Sequence, residues 1–335
     1  MYTAFYGLRE KPFSLTPDPR YLFLASSHRE ALAHLLYGIE QGEGFIAVTG
    51  EVGTGKTTLC RTLLERLGNE ADIAFIFNPT LTGDELLRAI MVELGMLTTG
   101  LSRAELISQL NEHLLDQKRR NRRVLLIVDE AQNLSTQTLE QIRLLSNLET
   151  STSKLIQILL FGQPELDEKL DSQKLRQLRQ RISVRWRLDT LSASETAEYV
   201  NHRLRVGAEG ECDLFSDAAL REVHRRSRGV PRLVNLLCDR SLLAGYADEA
   251  REITAEYVSG AAREILGARH RMRMHKGRWR RSMVAAAVLL GVAAGAFAIQ
   301  GWRTGESAQE PHAVSAGPSP VGTANREVDL LGDSR

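Results

Sequence analysis

The chain has 335 residues, 43% hydrophobic and 25% charged, which is ordinary globular composition with room for two compact units and appendages. Its net charge of +1 hides one concentrated segment, because residues 269–281 carry seven basic and no acidic side chains. Cys60, Cys212 and Cys238 lie far apart, and the eight histidines form no ligand spacing. These counts argue against a disulfide framework and against a metal site made only of protein ligands; the cysteines are expected to be reduced packing residues.

Residues 1–20 have neither a basic start nor an apolar h-region, so no signal peptide is expected and the first 280 residues are assigned to the cytosol. An arm at 1–26, holding Pro12, Pro17 and Pro19 among the aromatics Phe5, Tyr6, Phe13, Tyr21 and Phe23, is expected to be ordered but irregular and to pack beside a nucleotide base. A helix follows at 27–41. Residues 45–49, Phe-Ile-Ala-Val-Thr, predict a buried strand, and a helix is predicted from Thr58 to Leu67. Between them Gly50, Glu51, Val52, Gly53, Thr54, Gly55, Lys56 and Thr57 fit the phosphate-loop pattern G-x-x-x-x-G-K-[ST] at every fixed position. Glycines there let successive N–H groups turn inward and, with the N-terminus of the helix that opens at Thr58, hold the phosphates of ATP. Lys56 is expected to reach the β- and γ-phosphates and Thr57 to bind Mg²⁺.

A strand is predicted at 73–77 and helices at 83–95 and 102–119. Residues 124–128, Val-Leu-Leu-Ile-Val, predict a central parallel strand that delivers Asp129 and Glu130 at its C-terminal edge, where open α/β sheets bind ligands. Asp129 is the expected partner of Mg²⁺ and Glu130 the group that polarises the attacking water; the pair also suits a helix cap. A strand at 155–161 ends in Gly162 and Gln163, a polar group able to orient that water or sense the γ-phosphate, or else a turn residue before Pro164. Residues 175–182 read as a helix end dense in guanidinium groups, Arg176, Arg179 and Arg181, suited to a finger on a neighbouring subunit's nucleotide or to a solvated basic face.

From residue 191 the strands stop. Helical patterns at 192–206, 216–227, 231–247 and 254–265 predict a small all-α domain over 191–267, beside an α/β P-loop domain over 27–190 with a parallel sheet. A basic juxtamembrane segment at 268–281 precedes residues 283–299, which are uncharged; extended to 282–302, the stretch is long enough to cross a ~30 Å hydrocarbon core as one transmembrane helix. Trp279 and Trp302 bracket it, and the basic run abuts one end only, which places the ATPase domain in the cytoplasm and a disordered tail, 303–335, in the periplasm.

A P-loop domain followed by a helical lid resembles the AAA+ ATPases, and Gly229-Val230-Pro231-Arg232 resembles their second sensor, which implies that Arg232 lies over the γ-phosphate. The stretch 6–23, the loop 50–57, Val128-Asp129-Glu130-Ala131-Gln132, Phe161-Gly162-Gln163-Pro164-Glu165-Leu166 and Leu178-Arg179-Gln180-Arg181-Ile182 together resemble the ExeA/general secretion pathway protein A family over residues 2 to 302. The resemblance implies an inner-membrane AAA+ ATPase that self-associates and, with a partner membrane protein, assists assembly of the type II secretion secretin through peptidoglycan; relatives serve pilus biogenesis and exopolysaccharide export. It also makes Arg181 the first choice of finger and Arg179 the second. Longer members carry a peptidoglycan-binding domain, whereas 33 residues follow Trp302 here, so direct wall contact by this chain is not expected. The alternative is a DNA-dependent ATPase resembling transposition helper proteins, whose phosphate-binding surface would be the run 269–281. The position of that run directly before an apolar span favours the membrane and argues against a nucleic-acid partner.

Overall fold

The computed structural model describes residues 2–267 apart from Pro17, Asn69, Asn78, 151–152, 209–211 and Leu266, all within one compact unit. The expectations for 268–281, 282–302 and 303–335 fall outside these residues. Among the described residues no helix is long and apolar enough to cross a membrane.

The arm contains a short helix, α1 (Tyr2–Phe5), and a 3-10 turn (Pro19–Tyr21), and leads into α2 (Ser26–Glu40). Strands β1 (Phe45–Gly50), β2 (Ala71–Ile76), β3 (Arg123–Val128), β4 (Gln157–Gly162) and β5 (Ile182–Leu188) form one parallel sheet in the order β2-β3-β4-β1-β5. Helices α3 (Lys56–Leu67), α4 (Gly83–Glu93), α5 (Arg103–Arg119), α6 (Thr136–Leu145), α7 (Pro164–Leu170) and α8 (Arg176–Arg179) connect them. Beyond the sheet come α9 (Ala193–Gly207), α10 (Asp217–Ser227), α11 (Pro231–Ala247) and a helical stretch at 255–265.

The apolar runs of β1, β3 and β4 are continuous because each strand faces two cores, with side chains alternating between them. Ile46, Val48, Leu125, Ile127, Leu159 and Phe161 pack with Leu35 of α2 and Leu59 and Leu63 of α3. Phe45, Ala47, Leu126, Val128, Ile158 and Leu160 pack on the other face with Ile90 of α4, Leu110 of α5 and Ile142 of α6. Each such buried aliphatic side chain contributes about 1.5–3 kcal/mol relative to exposure, so the central strands are held from both sides. A third core joins distant parts of the chain: Tyr2, Tyr6, Leu8 and Phe13 of the arm pack with Tyr199, Leu204, Val234 and Cys238 of the helical segment. Cys60 and Cys238 are buried and all three cysteines are free, as packing residues should be.

The structure adds one strand and corrects one expectation. The sheet has a fifth strand, β5, directly after the arginine-rich stretch. Ile182, Val184 and Trp186 are half-buried while Ser183, Arg185 and Arg187 are exposed, the alternation of an edge strand. Arg185 reaches Asp167 and Asp171 at 2.8 Å each, so its charges mark a paired strand edge and not a solvated loop. Correspondingly, 175–182 is not one helix end: α8 stops at Arg179 and Ile182 already belongs to the sheet. The structure also adds α6 and α7: Ser135 caps the first by accepting from the Thr138 N–H, and Pro164 opens the second.

Candidate nucleotide-binding site

The loops after β1, β3 and β4 leave the same C-terminal edge of the sheet, and the predicted site residues converge there. Gly53 and Gly55 take φ of +85° and +101°, a left-handed region open to glycine at little cost, and α3 begins immediately at Lys56. A Cβ on Gly53 would lie 2.6 Å from the Arg232 Cβ, and one on Gly55 2.8 Å from the His28 Nε2. Thr54 is fully buried and locks the turn by donating its hydroxyl to the Glu51 carbonyl at 2.9 Å. Glu51 and Val52 are exposed, as is Thr58.

Lys56 is buried at the centre of the loop, its ammonium donating to the carbonyls of Gly50 at 2.7 Å and Glu51 at 3.0 Å. Burial pushes its pKa below the ordinary lysine range, against the pull of the Glu130, Asp129 and Glu51 carboxylates. Asp129 is fully buried and accepts from the Thr57 hydroxyl at 2.8 Å and from the Glu130 N–H at 2.9 Å. Burial raises its pKa, and the two hydrogen bonds oppose that rise. Thr57 and Asp129 therefore present hard oxygen donors side by side, a set that fits Mg²⁺. Among the described residues no group of three or more His, Cys, Asp and Glu could hold a metal ion.

Glu130 has left-handed backbone, φ +54° and ψ 37°, sparsely populated by side chains of its kind. Its Oε2 accepts from the Gln163 side-chain amide at 2.9 Å and from the Gln132 amide at 2.5 Å. Gln163 stands at the end of β4, as its position predicted. Arg232 lies in the first turn of α11, and its backbone N–H donates to the Gly53 carbonyl at 3.3 Å, so the helical segment rests directly on the phosphate loop.

A cavity of about 350 Å³ is lined by the loop, by Glu130, by Arg232 and by arm residues including Leu15, Tyr21 and Phe23. The aromatic arm thus flanks the loop. Three further lining residues carry no local signature. Asn235 accepts from the Tyr199 hydroxyl at 2.9 Å; Arg203 donates to that hydroxyl at 3.0 Å and to the Pro12 carbonyl at 2.5 Å. His28 donates through Nε2 to the Thr54 carbonyl at 2.8 Å from beneath the loop. Apart from the Arg203–Tyr199 pair, four residues apart, these contacts span 26 to 191 residues of sequence, so no pattern of neighbouring residues announces the set.

The arginine-rich stretch does not join this constellation. Arg181 donates to the Ser146 hydroxyl at 2.6 Å and to the Arg143 carbonyl at 3.3 Å, closing the C-terminal end of α6 in its own chain. Arg176 and Arg179 are exposed, the latter 4.0 Å from Asp171.

Comparison with known proteins agrees with this fold. Residues 39–170 match the family model described as AAA domain. The chain is 45% identical over 305 residues to "General secretion pathway protein A" of Aeromonas hydrophila, an alignment covering 90% of this chain and 54% of that protein. The chain thus spans about half the length of that relative. Among solved structures, Cdc6p from Pyrobaculum aerophilum superposes with a TM-score of 0.59 at 22% identity, covering 76% of this chain and 70% of that one. The ORC2 protein of Aeropyrum pernix gives 0.57 at 18%, covering 76% and 71%. At such identities the structural likeness is one of fold: an AAA+ P-loop NTPase. The family resemblance read from the motifs is borne out.

Proposed function

We propose that this chain, which belongs to the ExeA-like family, binds ATP with Mg²⁺ and hydrolyses it to drive assembly of an envelope-spanning export machine. The observation that carries the hydrolytic part is the meeting of Lys56, Thr57, Asp129, Glu130 and Gln163 at one sheet edge, beside a cavity that Arg232 overhangs. In this reading the loop N–H groups and Lys56 hold the phosphates. Thr57 and Asp129 hold Mg²⁺, which when bound neutralises charge on the phosphates. Glu130 takes a proton from the attacking water, Gln163 orients it, and Arg232 closes on the γ-phosphate from the lid.

The name of the Aeromonas relative supports secretion as the process served. The apolar stretch at 282–302 with its one-sided basic flank supports an inner-membrane anchor, an ATPase domain on the cytoplasmic side and a periplasmic tail. A partner membrane protein and self-association, with Arg176, Arg179 or Arg181 reaching a neighbour's nucleotide, complete the proposal.

The site is tested by two substitutions. Lys56→Ala is expected to weaken ATP binding roughly ten- to a hundredfold, the scale of a charged hydrogen bond to phosphate. Glu130→Gln is expected to keep ATP affinity while hydrolysis falls by about two orders of magnitude or more. Wild-type turnover in Glu130→Gln would sink the hydrolytic assignment.

A further inference from the structure

Glu130 alone does not determine where its carboxylate points; two amides do. Gln132 lies two residues beyond it, within the 3-10 turn Ala131–Asn133, and the orientation of its side-chain amide is set by the main chain just past the end of β4. Its Oε1 accepts from the Gln163 backbone N–H at 3.0 Å, and that N–H can only donate. The Nε2 end must therefore face Glu130, whose Oε2 it reaches at 2.5 Å. The Gln163 side chain donates to the same oxygen at 2.9 Å. Oε2 thus takes two N–H donors, while Oε1 of Glu130 has no hydrogen bond among the described residues and Glu130 lines the cavity.

Two further contacts build the frame behind this pair. The Lys169 ammonium donates to the carbonyls of Gln132 and Leu134, clamping the turn from α7. A Cβ on Gly162 would stand 3.2 Å from the Gln132 Oε1 and 2.6 Å from the Leu166 side chain, so the end of β4 is kept bare where the amide seats. The left-handed backbone of Glu130 then projects its carboxylate toward both amides from a fixed origin.

We infer that Gln132 is a positioning residue for hydrolysis: with Gln163 it pins Oε2 of Glu130 so that Oε1 is presented to the water that attacks the γ-phosphate. The inference rests on the proposed role of Glu130 as base and adds a residue that lies outside the cavity lining. A carboxylate free to rotate about its side-chain torsions would spend little time in the productive geometry, and misplacement of order 1 Å at a reacting group costs about a hundredfold in rate.

The test uses the full chain with Mg²⁺ and ATP. Gln132→Leu, similar in volume but without donors, is expected to lower kcat by roughly ten- to a hundredfold, the scale of one hydrogen bond to a charged group, with KM and the affinity for a non-hydrolysable ATP analogue within about twofold. Gln132→Glu keeps the length and replaces the donor by a second carboxylate, so kcat falls at least as far. Gln132→Asn, with the amide one carbon shorter, should recover part of the loss. The double variant Gln132→Leu/Gln163→Leu should lose less than the product of the single losses, because the two amides act on one oxygen. An unchanged kcat in both Gln132→Leu and Gln132→Glu overturns the inference, as does a loss appearing in analogue affinity and KM. A parallel Glu130→Gln measurement separates the two layers. Normal turnover there removes the base assignment itself, whereas lost turnover there beside normal turnover in the Gln132 variants removes only the positioning role.

Discussion

The phosphate loop is a local object, and most of it can be read from eight consecutive residues. What those residues do not reveal is why each glycine is needed. Gly53 combines a φ of +85° with the Arg232 side chain pressed against it, whereas Gly68, at φ +50°, has nothing within 4 Å of a notional Cβ. The two positions separate backbone strain from steric exclusion. Gly68→Ala is expected to cost about 1–3 kcal/mol of stability and leave nucleotide affinity unchanged. Gly53→Ala is expected to push α11 off the loop and to reduce affinity for a fluorescent ATP analogue by at least roughly tenfold. Equal affinities for the two variants would show that Arg232 does not seat on the loop in solution. Asp129, Glu130 and Gln163 were legible for the same local reason: each ends an apolar strand. Gln132 stood in the sequence beside them without a role, because the N–H that orients its amide belongs to a residue 31 positions away.

Elements were legible where one physical pattern ruled. Apolar runs marked β1, β3 and β4, and Ser102 and Ser192 cap α5 and α9 with Glu105 and Glu195 closing capping boxes. The edge strand β5 was obscured by its arginines, whose partners Asp167 and Asp171 come from α7 and its C-terminal cap. Arg181, dense-charge context notwithstanding, is held by the end of α6. Glu195 serves two helices at once: it closes the first turn of α9 and also accepts from the Ser26 N–H at 2.9 Å and hydroxyl at 2.5 Å, at the start of α2. Partial burial would raise its pKa, but the hydrogen bonds from Ser26 and Ser192 win and pull it from the ordinary 4.5 down to about 2. A folded pKa below the unfolded one means stabilisation that is complete above about pH 4.5 and is lost as pH falls from there through about 2. Thermal melts of wild type and Glu195→Gln should therefore differ at pH 7, with the gap narrowing across that window. A gap of constant size at all pH values would assign the effect to packing.

At the scale of the molecule, the arm and the helical segment form one core, with Tyr2 and Phe13 packed among residues about 200 positions away. That core holds α11 over the phosphate loop and lets the arm wall the cavity. Membrane attachment is separately testable. The 335-residue chain is expected to sediment with membranes and to be released by detergent, and a chain lacking 282–302 to remain in the supernatant; the 335-residue chain found in the supernatant and shifting duplex DNA would favour the DNA-dependent alternative.

The sequence by itself determined the P-loop, the carboxylate pair, the α/β-then-α plan and the family, because strand periodicity and glycine-loop chemistry are short-range properties of consecutive residues. Only the tertiary structure decided that Gln132 and Gln163 share one oxygen of Glu130, that Arg181 is hydrogen-bonded to the end of α6, and that arm and helical segment line one cavity with the loop. Those outcomes depend on hydrogen bonds and packing between segments tens to hundreds of residues apart, and no local pattern encodes which distant partner a polar side chain will meet.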